Sequence, residues 1–173
     1  MHQAELRGTR RVWGVAMDNT EHIPGYKHYR CRRNGRRPEV CVAFLDLEAA
    51  PGGAVNGVCL EVTPERLAAL DRRERNYVRV DVTELLWPRP PGRTWAYVGR
   101  PESRARLRRA RAGSRAVVSR EYRERVLHGF AALGRDALAR FWRSSELGGL
   151  PVVDLIRVDH GRPRRVLAQT AAG

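Results

Sequence analysis

Apolar and polar positions alternate in short blocks through the first part of the chain and fall at helical spacing after Ser119. A period of two marks strands and a period near 3.6 marks helices. Arg10–Val15 predicts a short strand that exits into the turn-prone Ala16–Thr20. Gly14 sits near its end, where a missing side chain lets backbone approach a ligand, or where a strand simply passes into a loop. Pro24-Gly25 marks a turn and Tyr26–Cys31 a strand. Arg32–Pro38 holds an Asn34-Gly35 pair with a basic rim and reads as a hairpin turn. Val40–Leu47 is a continuous apolar run suited to a buried strand, and Ala50–Ala54, with Pro51-Gly52-Gly53, reads as a loop.

The pattern centres on Val55–Val82, which reads as strand, helix, strand. Val55–Val62 is rich in β-branched and apolar residues, with Gly57 marking a bulge or a close backbone approach. Thr63-Pro64 start a helix: a hydroxyl N-cap, proline at the first helical position and Glu65 in the first turn. Leu67 and Leu70 share a face, and Glu74, four residues past Leu70, points the same way. Tyr77–Val82 alternates again, Val78, Val80 and Val82 against Tyr77, Arg79 and Asp81. A carboxylate at the end of an apolar stripe has two readings. It is desolvated and able to move a proton near neutral pH, or it is paired with Arg72, Arg73 or Arg75.

Trp87–Gly92 is proline-rich and Thr94–Val98 is a further strand. Arg100–Arg115 is rich in arginine with a single Glu and few apolar residues, and is expected to be exposed, mobile, helical in part at most, and dispensable for folding. Ser119 is an N-cap for a helix with Tyr122, Val126, Phe130 and Leu133 at helical spacing, ended by Gly134. Asp136–Ser145 is a second short helix, with Leu138, Phe141 and Trp142 on one face, and Pro151–Val158 is a last strand. Strands early and helices late predict an α+β fold, one domain over 1–160, with a disordered tail over 161–173.

Composition changes the picture at three points. The net charge of +14 invites a nucleic-acid partner, but Lys27 is the only lysine. An arginine bias of that kind is what a GC-rich genome yields, so the charge reads first as a solvated surface. Cys31, Cys41 and Cys59 form no CxxC pair and are read as small buried hydrophobes. His2, His22, His28, His128 and His160 show no metal-binding spacing, so no metal and no cofactor are expected. No apolar run reaches the roughly 18 residues of a membrane helix, and the N-terminus lacks the apolar core of a signal peptide. The expected place is the cytoplasm, with no membrane partner.

Together these residues resemble the γ-glutamylcyclotransferase-like superfamily over roughly Arg11 to Leu133. Val55-Asn56-Gly57 followed by Leu67, Leu70-Asp71, Glu74 and Tyr77 is similar to its V-x-G…L-x-x-L-D-x-x-E-x-x-Y signature. Pro24-Gly25-Tyr26, Ala96-Tyr97-Val98 and Ser119…Tyr122…Gly129 resemble its early turn, late strand and following helix. The resemblance implies a small mixed β-barrel with flanking helices. It implies that Glu74 is the catalytic acid/base, closing a γ-glutamyl group to 5-oxoproline and releasing the amine. It also implies that Trp13, Gly14, Val15, Ala16, Met17 and Tyr77 bind the small-molecule substrate, the glutamyl part on loop backbone, with Glu74 within reach of Gly14–Asn19. The family has Y-G-S or Y-G-T where this chain has Trp13-Gly14-Val15, so the hydroxyl residue is replaced. Three readings therefore stand: a cyclising enzyme, a non-catalytic relative that binds a small amino-acid derivative, and an arginine-rich protein associated with nucleic acid. Release of 5-oxoproline separates the first two, and a steep salt dependence of binding marks the third.

Overall fold

A long antiparallel pair forms the frame of this computed structural model, which describes residues 1–22 and 26–159. The Pro24-Gly25 turn and the tail over 161–173 lie outside the described residues. Strand β1 (His2–Asp18) pairs with β3 (Cys41–Cys59) along nearly its whole length. The two strands expected at Val40–Leu47 and Val55–Val62 are thus one, and the expected Pro-Gly-Gly loop is a bulge inside it. Arg7 faces Ala54 while Thr9 faces Ala49, so residues 50–53 stand opposite Gly8 alone. Gly8 and Gly52, both at positive φ, let the two backbones diverge and rejoin there.

On its other edge β1 takes β5 (Leu86–Trp87) antiparallel and β8 (Ser145–Glu146) parallel. The far edge of β3 takes β7 (Ala116–Ser119), and β7 takes β9 (Val152–Val153), both parallel. Two further pairs stand apart. Strand β2 (His28–Cys31) pairs with β10 (Leu155–Val158), and β4 (Tyr77–Asp81) with β6 (Trp95–Gly99). Helix α1 (Pro64–Arg73) begins where the sequence places it, Thr63 Oγ1 accepting from Arg66 N at 3.3 Å. Helices α2 (Pro101–Ala112), α3 (Arg120–Ala132) and α4 (Arg135–Arg143) complete the α+β arrangement. Ser119 does precede α3, but its hydroxyl donates to Leu155 O at 3.4 Å instead of capping the helix.

The barrel expectation is corrected: among the described residues the sheet runs from β5 to β9 and does not close. The reason lies on the open edge of β3. Strand β7 covers only Cys41 and Val42. Beyond them, side chains satisfy the backbone where a closed barrel would have a neighbouring strand. Leu45 O accepts from Tyr77 Oη at 2.6 Å, and Leu45 N donates to Tyr122 Oη at 3.4 Å. Leu47 N donates to Asp46 Oδ1 at 2.7 Å, and Leu47 O accepts from Arg104 Nη2 at 2.8 Å. Strand β6 reaches this edge, but Gly99 N binds the Asp46 carboxylate, not a β3 carbonyl.

The arginine-rich segment is also corrected. It is the helix α2, and Ser103, Leu107 and Ala110 on one face are buried. Leu107 and Ala110 pack with Trp13, Ala16, Cys41, Ala43, Ala116 and Val118 in one core cluster. Three of its five arginines bond inward: Arg104 on Asp46, Arg106 on Ala16 O at 3.0 Å, Arg111 on Trp13 O at 3.3 Å. Small alanines between the arginines let the helix lie close to the sheet, so few large apolar residues suffice. A second cluster joins Val15, Met17, Tyr29, Val42, Phe44, Val117 and Leu155, and a third joins Leu6, Val55 and Val82.

Candidate functional site

Helix α1 ends at Arg73, and Glu74 is its C-cap, with φ −85° and ψ 57°. Its N–H still bonds Leu70 O at 2.9 Å, and its carbonyl accepts from Tyr77 N at 3.0 Å. That break in the helix redirects the side chain. Leu67 and Leu70 line a groove beside Trp95 and Tyr97, so the shared-face expectation does not describe how Glu74 is placed. Arg73 donates to Glu74 Oε1 twice, from Nε at 2.8 Å and Nη2 at 2.6 Å. Among the described residues no donor reaches Oε2, and the side chain is 24% exposed. The carboxylate thus has both a partner and an unspent oxygen.

Tyr26, Lys27, Tyr77 and Tyr122 all lie within the electrostatic reach of Glu74. Burial pushes the Tyr77 and Tyr26 phenols up, and the Glu74 charge adds to it. Burial pushes Tyr122 up to about 12. These phenols are neutral donors or acceptors at ordinary pH. Burial, reinforced by Arg157, pulls the Lys27 ammonium down to about 8. It stands 4.2 Å from the Phe44 ring centroid and 5.7 Å from that of Tyr26. Phe44 in turn meets Tyr122 edge-on at 5.1 Å.

The residues expected to hold the glutamyl part are divided by the strand. Positions 14–18 belong to β1, paired to β3, and not to an open loop. The register shifts between Trp13 and Val15, and Gly14 occupies the irregularity. A side chain on Gly14 would put its Cβ 2.4 Å from Asp46 Cβ, so the close approach that this glycine permits is to Asp46. Trp13 and Ala16 pack on the α2 side, Trp13 donating to Leu147 O at 3.0 Å. Val15 and Met17 pack on the other side, in the cluster against which Tyr26, Tyr77 and Tyr122 lie. So Val15, Met17 and Tyr77 come together, while Trp13, Gly14 and Ala16 do not join them. Helix α2 links the two halves. Arg106 holds Ala16 O, Ser103 Oγ donates to Asn76 Oδ1 at 3.1 Å, and Arg100 N donates to Asn76 O at 2.9 Å.

The sequence reading passed over Tyr26, Lys27, Phe44, Tyr122 and Asp46 as members of this region. Composition alone marked one of them, since Lys27 is the single lysine among so many arginines. Asp46 is fully buried and met on both oxygens: it accepts from Gly99 N and Leu47 N, each at 2.7 Å, and from Arg104 Nε at 2.7 Å.

Among the described residues no group of three or more His, Cys, Asp or Glu side chains could hold a metal ion. No helix among them is long and apolar enough to cross a membrane. A family model described as gamma-glutamyl cyclotransferase, AIG2-like, matches residues 3–124. No curated protein and no solved structure matches the chain.

Proposed function

The chain belongs to the gamma-glutamyl cyclotransferase, AIG2-like, family, which acts on small γ-glutamyl substrates, and from that premise we propose that it cyclises a γ-glutamyl amine or peptide to 5-oxoproline with Glu74 as general acid/base. The observation that carries this reading is the Glu74 carboxylate itself. Arg73 anchors one oxygen, and the other has no donor among the described residues, beside a wall of Tyr26, Tyr77 and Tyr122.

The chemistry suits a single carboxylate. The α-amine in its neutral form attacks the γ-carbonyl carbon of the same molecule, and Glu74 takes the proton that this nitrogen sheds as the new bond forms. A C–N bond forms in the five-membered ring as the old amide C–N bond breaks. The leaving nitrogen takes the proton from Glu74, which returns to its ionised form. Nucleophile and electrophile are tethered, so the protein need only fold the chain and move the proton. Tyr77 supplies an aromatic wall for the glutamyl methylenes, backed by the buried Val15 and Met17. Trp13, Gly14 and Ala16 support that wall from behind, through β1 and α2. The experiment is a 5-oxoproline release assay over γ-glutamyl amino acids, γ-glutamyl amines and glutathione, on wild type and Glu74→Gln. Turnover by wild type and its loss in the mutant are expected. Equal turnover by both would overturn the assignment of Glu74.

A second reading has its own observation. Val15 is 0% exposed and Met17 is buried in a continuous strand, so the backbone expected to hold the glutamyl group is already paired with β3. A relative that retains the fold and binds a small amino-acid derivative without turnover would look the same. Binding of 5-oxoproline without turnover of any γ-glutamyl compound would favour it.

A further inference from the structure

Resting on the Glu74 reading, we infer that Lys27 is the residue that receives the α-carboxylate of the γ-glutamyl group, at a cavity that Lys27 itself lines. The cavity has a volume of about 120 Å³, and its lining includes Lys27, Phe44, Glu121, Tyr122, Arg125 and Arg157. That is room for about four waters, the scale of a carboxylate with its α-carbon rather than a peptide.

Three cations surround this space and two are already spent. Arg125 donates to Glu121 Oε1 at 2.6 Å, and Arg157 holds Asp159 Oδ1 at 2.8 and 2.7 Å. Lys27 has neither a carboxylate partner nor a hydrogen-bond acceptor among the described residues. Its contacts are the faces of Phe44 and Tyr26. An ammonium carries three donors, and an incoming anion can take them in place of water. Substrate geometry then selects the anion. The amine that Glu74 deprotonates and the α-carboxylate are bonded to one carbon, so the carboxylate must meet a cation close to Glu74. Arg73 is occupied by Glu74 itself, and Arg75 is exposed and lies over Tyr26. Lys27 alone among these is partly buried, lines the cavity and feels Glu74.

The single lysine makes the test direct. Reductive ¹³C-dimethylation labels Lys27 and the N-terminus, and a Lys27→Arg sample identifies which resonance is which. With 5-oxoproline added, the Lys27 methyl signal should shift and its titration midpoint should rise above about 8, because the bound anion favours the charged form. Burial sets the starting value of that midpoint, Arg157, Glu74, Asp159 and Arg73 act on the same ammonium, and Glu121 and Arg125 line the same cavity. Pyrrolidin-2-one, the same ring without the carboxylate, should leave the signal where it was. An unmoved Lys27 signal with 5-oxoproline, or equal shifts with both rings, overturns the proposal. On any γ-glutamyl compound that is turned over, Lys27→Met should raise KM about 10- to 100-fold with a much smaller effect on kcat, and Lys27→Arg should restore most of it. KM of the wild type should rise above pH 8 as Lys27 loses its proton. An unchanged KM in a folded Lys27→Met protein counts against the carboxylate contact. A carboxylate-dependent shift without turnover of any substrate keeps Lys27 as an anion site and removes only the reaction.

Discussion

Asp46 and Glu74 are the two carboxylates around which this region is built, and they differ in what they leave free. Asp46 is wholly enclosed and accepts three hydrogen bonds, from two backbone amides and one guanidinium. Both of its oxygens are met, and the group is closed off from any ligand. Glu74 is partly open, receives both of its bonds on one oxygen and stands among tyrosines and Lys27. Burial alone would have picked Asp46 as the reactive group. Satisfaction of hydrogen bonds separates them: an acid met on both oxygens joins elements, and an incompletely met one can act on a substrate.

The sharpest way to break the contrast is to remove each charge in turn. Glu74→Gln should lower 5-oxoproline release by about 10²–10⁴-fold. Its melting temperature should move little, since a partly exposed pair contributes about 0–1 kcal/mol. A large fall in stability with turnover intact would make Glu74 a structural residue. Asp46→Ala should do the reverse and cost about 3–5 kcal/mol in chemical denaturation, because Arg104 and two amides lose their acceptor together. A loss under 1 kcal/mol would mean that water replaces the carboxylate readily.

Two substitutions sharpen the comparison on the Asp46 side. Leu107→Ala, on the buried face of α2, should cost about 2–5 kcal/mol, while Arg109→Ala on the exposed face should stay within about 0.5 kcal/mol. Proteolysis that removed α2 without loss of cooperative unfolding would restore the mobile-segment expectation. Gly14→Ala drives a Cβ to 2.4 Å from Asp46 Cβ and should destabilise by about 1–3 kcal/mol through overpacking.

The smallest effect belongs to the Glu74 side and appears as a pH dependence. The Lys27 pKa in the folded chain is lowered to about 8, below its unfolded value near 10.4. Between those values the unfolded chain binds more protons, so this residue's contribution to stability rises with pH across that window. Lys27→Met removes the buried charge. Its melting temperature should exceed that of wild type at pH 7, and the gap should close toward pH 10. A gap independent of pH would place the ammonium in water.

Much of the local structure was legible from residue types. The Thr63-Pro64 start of α1, the β4 alternation from Tyr77 and the Gly134 break between α3 and α4 all depend on neighbours in sequence. Glu74 was singled out, but for a reason that the fold does not use. The helix stops at Arg73, and the turn, held by Asn76 and α2, aims the carboxylate. The arginine-rich segment was misread because its few apolar residues looked too sparse to anchor it. Alanines that pack closely and arginines that meet carbonyls anchor it instead.

The sequence by itself determined the start of α1, the strand β4, the break between α3 and α4, the family and the carboxylate on which the functional reading rests, because caps, turns and side-chain periods act over a few residues. Tertiary structure alone decided that β3 is one bulged strand, that the barrel stays open and that Lys27 lies over Phe44. Each of these depends on residues far apart in the chain. Tyr77 meets Leu45, Gly99 meets Asp46 and Phe44 meets Lys27 only after the strands have paired, and no local pattern records which polar side chain will take an edge that another strand leaves uncovered.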